Sequence, residues 1–214
     1  MSSLLVATTP AADLQLLTIE ELRAAAGVSG TSQDADLTKK GLRIAAGIAE
    51  ACKIRPGQTS VPTLKQETLQ ETFRECDDED LILSRRHNIE IISVLIDGTT
   101  VDASGYEIDP EAGVLSRLCY DRLTIWRGNK ISVAYRAGFS SVPDALKRAA
   151  EDFLRHLWLE GQRDPSVKAS EVEIEDIDRV RTEYWAGTIP GQGGGNVVPD
   201  FVLSQLSRYR NWIA

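Results

Sequence analysis

Ile131-Ser132-Val133-Ala134-Tyr135-Arg136-Ala137-Gly138, followed by Val142-Pro143-Asp144-Ala145-Leu146-Lys147, decides the fold class of this 214-residue chain. In the first stretch Ile131, Val133 and Tyr135 recur at every second position, the period of a half-buried strand, and Gly138 closes it. Pro143 then stands where a helix opens, and Leu146, Ala149, Ala150, Phe153, Leu154, Leu157 and Trp158 fall on one broad stripe of helical period. Asp144 with Arg148, and Glu151 with Arg155, form i,i+4 pairs on the wet side, and Gly161 is expected to stop the helix. A β segment passes directly into an amphipathic helix, which points to an α+β fold.

Upstream of this junction the pattern stays β-like. Ile89, Ile91, Ile92, Val94 and Ile96 lead into Asp97-Gly98, a pair that tolerates the positive φ angles of a type I′ hairpin, and Val101 continues beyond it. Tyr106 and Ile108, then Val114, Leu115 and Leu118, then Leu123, Ile125 and Trp126 supply further short runs, and Gly128-Asn129 is expected to turn the chain into Ile131. Segment 64–75 suits a helix nearly as well as a strand and is read as a strand. Residues 61–137 therefore read as a small antiparallel β unit inserted between helical segments.

Further upstream, Thr18-Ile19-Glu20-Glu21 has the capping-box spacing and opens a short helix over 18–26. After a turn at Gly27 to Thr31, Leu37, Gly41, Ile44, Ala45, Ile48, Ala49 and Cys52 mark a second helix, with Asp34 and Asp36 at its positive end and Pro56-Gly57 beyond it. The expected parts are a helical segment over 1–60, the β unit over 61–137, the long helix with the segment after it over 138–186, and a tail over 187–214. Glu171 to Trp185 is extended or helical, since periodicity does not decide it. Residues 187–196 are rich in glycine and read as a flexible linker. Beyond them Phe201, Val202, Leu203, Leu206, Tyr209 and Trp212 form a short amphipathic tail that must either fold back or dock on a partner.

Composition narrows the function classes. With 24 basic against 32 acidic side chains the net charge is -8, which repels a phosphate backbone and argues against a dedicated DNA-binding module. Cys52, Cys76 and Cys119 are odd in number and widely spaced, so they read as reduced thiols, mostly core filler. No apolar run approaches the ~20 residues of a bilayer span, and Met1 to Gln15 lacks the pattern of a signal peptide. A cytoplasmic site of synthesis is expected. No GxSxG, HExxH or phosphate-loop signature occurs. The run Asp77-Asp78-Glu79-Asp80 lacks the spacing and glycine of a calcium loop and reads as a solvated turn. His87 and His156 read as packing or surface residues. No catalytic, cofactor or metal residues are assigned, and the rival reading is a small enzyme with an unrecognised site at Asp97, Asp109 or His87.

The order of parts resembles the head-tail connector (adaptor) proteins of long-tailed bacteriophages and gene transfer agents, in their longer form with a β insertion. The matching pieces are Leu17-Thr18-Ile19-Glu20-Glu21-Leu22, Ile92-Ser93-Val94 before Asp97-Gly98, Tyr106-Glu107-Ile108-Asp109 before Gly113-Val114-Leu115, and Trp126 ahead of 131–138. Val142 to Lys147, and Val198-Pro199-Asp200 with Leu206, Tyr209 and Arg210, complete them; 162–185 matches least. The resemblance implies a structural adaptor of the virion neck, met in the host cytoplasm before assembly, that forms a homo-oligomeric ring, usually twelve-fold, beneath the portal. DNA would pass through its channel without sequence-specific binding, and no membrane or cofactor is involved. The tail would dock on the portal protein through Phe201, Leu203, Leu206, Tyr209, Arg210 and Trp212, while the opposite side would receive stopper or tail-terminator proteins. A head-completion or stopper protein of the same neck is the alternative. Acidity then either keeps the channel from gripping DNA or serves only solubility.

Overall fold

The computed structural model describes residues 3–58, 60–162, 169–174, 177–183 and 198–211. The elements run β1 Ser3–Thr9, α1 Ile19–Ala26, α2 Asp34–Ala51, β2 Glu67–Asp78, β3 Asp80–Ile82, β4 Glu90–Ile96, β5 Thr99–Val101, β6 Tyr106–Asp109, β7 Val114–Cys119, β8 Arg122–Thr124, β9 Trp126–Ala137, α3 Asp144–Gln162, β10 Ala169–Ile174, β11 Ile177–Glu183 and α4 Asp200–Gln205. The α+β architecture expected from the sequence is the one observed.

One module is helical. Thr18 Oγ1 accepts from Glu21 N at 3.3 Å while Glu21 Oε2 accepts from Thr18 N at 2.8 Å, so both orphan amides of a capping box are satisfied. Glu21 Oε1 also accepts from Lys147 Nζ at 2.8 Å, which ties α1 to α3, and this bond is the main reason the Glu21 carboxyl lies below its usual range. Arg23 binds Asp34 through both guanidinium ends and ties α1 to α2. Leu22, Leu37, Ile44, Ile48, Leu146, Phe153 and Leu154 close an apolar core between the three helices. α3 ends at Gln162, one residue beyond Gly161, where the sequence placed the stop.

The second module is a five-stranded antiparallel sheet, β1-β2-β9-β4-β5, joined to a smaller sheet in which β6 pairs one edge of β7 while β3 and β8 share the other. The 64–75 reading as a strand holds from Glu67 onward, while Leu64 is sealed into the helical core instead. Gly128-Asn129 is not a turn. β9 runs straight through it, because Gly128 passes so close to β4 that a Cβ there would lie 2.8 Å from Ile96 Cγ2. Trp126 Nε1 donates to Leu115 O at 2.9 Å and locks the two sheets together.

One feature departs from the expected parts, and one left open is settled. β1, from the supposed helical N-terminal part, pairs with β2, and its Leu5 and Ala7 enter the β core. Segment 171–185, open between helix and strand, is extended where described: β10 and β11 form an antiparallel hairpin. Residues 184–197, which include the expected glycine linker, lie outside the described residues.

Candidate functional site

The acidic residues of β2 build the site. Glu67, Leu69, Glu71 and Phe73 share one face of the strand by period two, so the two carboxylates ride into the interior with the apolar side chains. Both are almost fully buried, at 2% and 0% exposure, and so is Arg85 at 1%. Buried charges persist only when paired and hydrogen-bonded. Arg85 Nη1 donates to Glu67 Oε2 at 3.0 Å and Nη2 donates to the Thr63 carbonyl at 2.5 Å. Nη1 also reaches the Arg55 carbonyl at 3.3 Å. Burial pulls the Arg85 guanidinium below its usual range and Glu67 opposes that pull.

Glu71 is the second anchor. It accepts from Tyr135 OH at 2.9 Å, from Ser84 N at 3.0 Å, and from the hydroxyls of Ser84 and Ser3. Burial first, and the Glu71 charge second, push the Tyr135 phenol well above its usual value, so it stays a donor. Arg55 completes the network by donating to both hydroxyls and to the Ser3 carbonyl at 2.7 Å. One polar cluster therefore clamps β1, β2, the loop 83–87 and the chain after α2.

The C-terminal segment lands on the same cluster. Of the two outcomes left open for the tail, folding back is observed for 198–211: Val198, Val202, Leu206 and Tyr209 are buried in the helical core. Asn211 N donates to Cys52 O at 2.8 Å and Asn211 Nδ2 donates to Ser84 O at 3.0 Å. His87 Nε2 lies 3.1 Å from Tyr209 O, a carbonyl that can only accept, so that nitrogen carries the proton. The imidazole stacks on Phe139, and burial lowers its pKa. Among the residues expected to dock, Leu206 and Tyr209 are thus interior, Phe201 is exposed at 46%, Leu203 and Arg210 are half-buried, and Trp212 lies outside the described residues. Tyr209 OH, Arg210 Nε and Asn211 Oδ1 are buried and have no hydrogen-bond partner among the described residues.

The residues of the rival enzymatic reading do not converge. His87 sits at the module junction. Asp97, in the β4–β5 turn, spends its carboxylate on Asn129 N and Lys130 N, and Asp109, at the end of β6, spends its own on Glu111 N and Ala112 N. His156 pairs with Glu160 at 3.3 Å and packs edge-on against Phe201. No group of three or more potential metal ligands occurs among the described residues. All three cysteines are free, Cys52 and Cys76 buried and Cys119 exposed. No helix among the described residues is long and apolar enough to cross a membrane.

The Arg85–Glu67–Glu71 junction escaped the sequence reading. Its signal was present in the phase of β2, where two acids occupy apolar positions, but their cationic and hydroxyl partners lie too far along the chain for spacing to reveal them.

No protein-family model and no curated protein matches the chain. A solved structure does: the neck of an empty gene transfer agent particle, computed with C6 symmetry, is similar over 99% of this chain and 97% of that chain, with a TM-score of 0.56 at 16% identity. The fold is one that occurs in a particle neck. At that identity the similarity carries architecture from end to end, helical module and β module alike, and no residue-level role.

Proposed function

We propose that this chain is a structural, non-enzymatic component of the head-tail neck of a tailed phage or gene transfer agent, the adaptor that repeats as a ring beneath the portal. The observation that carries the reading is the end-to-end structural match to a neck component, both modules included. Six-fold symmetry is contained in twelve-fold symmetry, so the neighbour's operator admits a ring of either size. A closed ring needs a heterologous interface repeated around the axis, which a rigid two-module subunit supplies. The buried junction fits that need, because it fixes one module's angle to the other.

The net charge of -8 suits a channel through which DNA slides without being gripped. Portal docking belongs to the C-terminal segment, through Phe201, Leu203 and Arg210 on its accessible side, with Trp212 following them in the chain. Among the described residues the buried polar groups of Tyr209, Arg210 and Asn211 find no hydrogen-bond partner, a reason for the segment to exchange contacts on another protein. Electron microscopy of particles carrying a labelled chain tests the reading: density in a ring directly under the portal is expected. Density elsewhere, or none, overturns it. Binding to isolated portal separates the adaptor from the stopper, which would bind only after another neck protein.

A further inference from the structure

The tip of the β7–β8 hairpin is built at a conformational cost. Tyr120 and Asp121, its two turn residues, both have positive φ, 49° and 62°, where glycine or asparagine would sit with less strain. The β4–β5 hairpin, also joined by two residues, uses the cheaper pair Asp97-Gly98. Tyr120 is 98% exposed and Leu123, just beyond it, is 71% exposed. A strained turn that holds an aromatic ring and a leucine in water retains strain at a contact site.

At the other end of β7 lies a groove of about 1370 Å³ between the two modules, with exposed Leu42, Val61 and Ile82 along it. Ile82 pairs with Val114 at the start of β7, and the hairpin tip follows Cys119 at its end, so tip and groove are about 17 Å apart along one strand. A tip rigidly held that far from the groove cannot fill its own groove. Lys53 and Arg86 line the groove without an ion-pair partner among the described residues, and Asp78 and Asp80 stand along it too. The tip carries both signs in return, Asp121 and Arg122.

We infer that the Tyr120–Leu123 hairpin tip of one copy seats in the Leu42–Val61–Ile82 groove of the next, and that this head-to-tail contact is the one that repeats around the ring. The inference rests on the ring reading above. Tyr120 is the anchor, since a buried aromatic removes about 150–250 Å² from water, and Leu123 fills the groove beside it. Asp121 faces Lys53 and Arg86, and Arg122 faces the carboxylates, which sets the register.

The test uses the full chain with Cys119→Ser, since Cys52 and Cys76 are buried and burial pushes the Cys52 thiol up to about 12. With Tyr120→Cys and Val61→Cys in one chain, mild oxidation is expected to give a ladder of trimers and higher species. The two single variants mixed together should give dimers only, and Tyr120→Cys with Ile92→Cys, outside the groove, should give no ladder. Tyr120→Asn, which relieves the turn, is expected to raise the concentration for half-assembly at least tenfold while leaving thermal stability equal or higher. A ladder that is absent, stops at dimers or matches the control overturns the contact. If rings still form by electron microscopy in that case, the ring reading survives and this contact alone falls. If no self-association occurs with any partner present, both fall.

Discussion

In the helical module the charged groups stay at the rim, Glu21 with Lys147 and Arg23 with Asp34, around an interior built mainly of apolar side chains. In the β module and its junction, Arg85, Glu67 and Glu71 go inside and tie together segments distant in sequence. The first arrangement stabilises by removing apolar area from water, which is non-directional. The second adds little net stability over an apolar replacement, but it fixes angles, because a guanidinium fork and a carboxylate accept partners from few directions.

Arg85→Ala should break this contrast most severely. It leaves Glu67 charged and unpaired in the interior, and a loss of about 4 kcal/mol is expected from the urea midpoint. Fluorescence from Trp126 in the β core and Trp158 in the helical core should then cease to report one coincident transition. Coincident transitions in the variant would mean that the junction does not couple the modules. The paired change Arg85→Met with Glu67→Leu should recover part of the loss, held back by the Thr63 and Arg55 carbonyls that lose their donor.

Gly138→Ala comes next, at about 3 kcal/mol. Gly138 has φ of 103°, and an added Cβ would lie 2.3 Å from the Lys65 carbonyl, where the chain crosses between modules and Gly138 N donates to His87 O. Thr18→Ala, which removes only a cap at the helical rim, should cost about 1 kcal/mol in the same titration. A Thr18 effect as large as that of Arg85 would erase the distinction between rim and interior.

The smallest effect is a pH slope at the seam. Burial lowers the folded pKa of His87, so below the unfolded value of 6.5 the unfolded chain binds more protons. The His87 contribution is fully present above that pH and is lost as pH falls through the folded value. Urea midpoints measured downward from pH 7.5 should decline, and His87→Gln should flatten that part of the slope. An unchanged slope in the variant would place the titration elsewhere.

The helices were legible because their signals are local: the Thr18–Glu21 box, the stripe on α3 and the Asp97-Gly98 turn each sit within a few residues. The errors share one cause. Gly128 looks like a turn residue until β4 is seen pressing on it. β1 went unread although Leu5 and Ala7 alternate with outward side chains, because an edge strand of seven residues shows no strand character without β2 beside it. The expected tail likewise turned out to bury Val202, Leu206 and Tyr209 in its own helical core over the described residues.

The sequence by itself determined the α+β class, the three main helices, most strand positions and the absence of a recognisable catalytic motif, since propensity, capping and periodicity act over one or two turns of chain. Only the tertiary structure decided which acids lie inside, what holds the two modules at their angle, where the C-terminal segment rests and which apolar groups stay in water. Those depend on partners 13 to 127 residues away, from Ser84 on Glu71 to Asn211 on Ser84. Burial, which sets the worth of every charge here, is a property of the whole packing and of no short window.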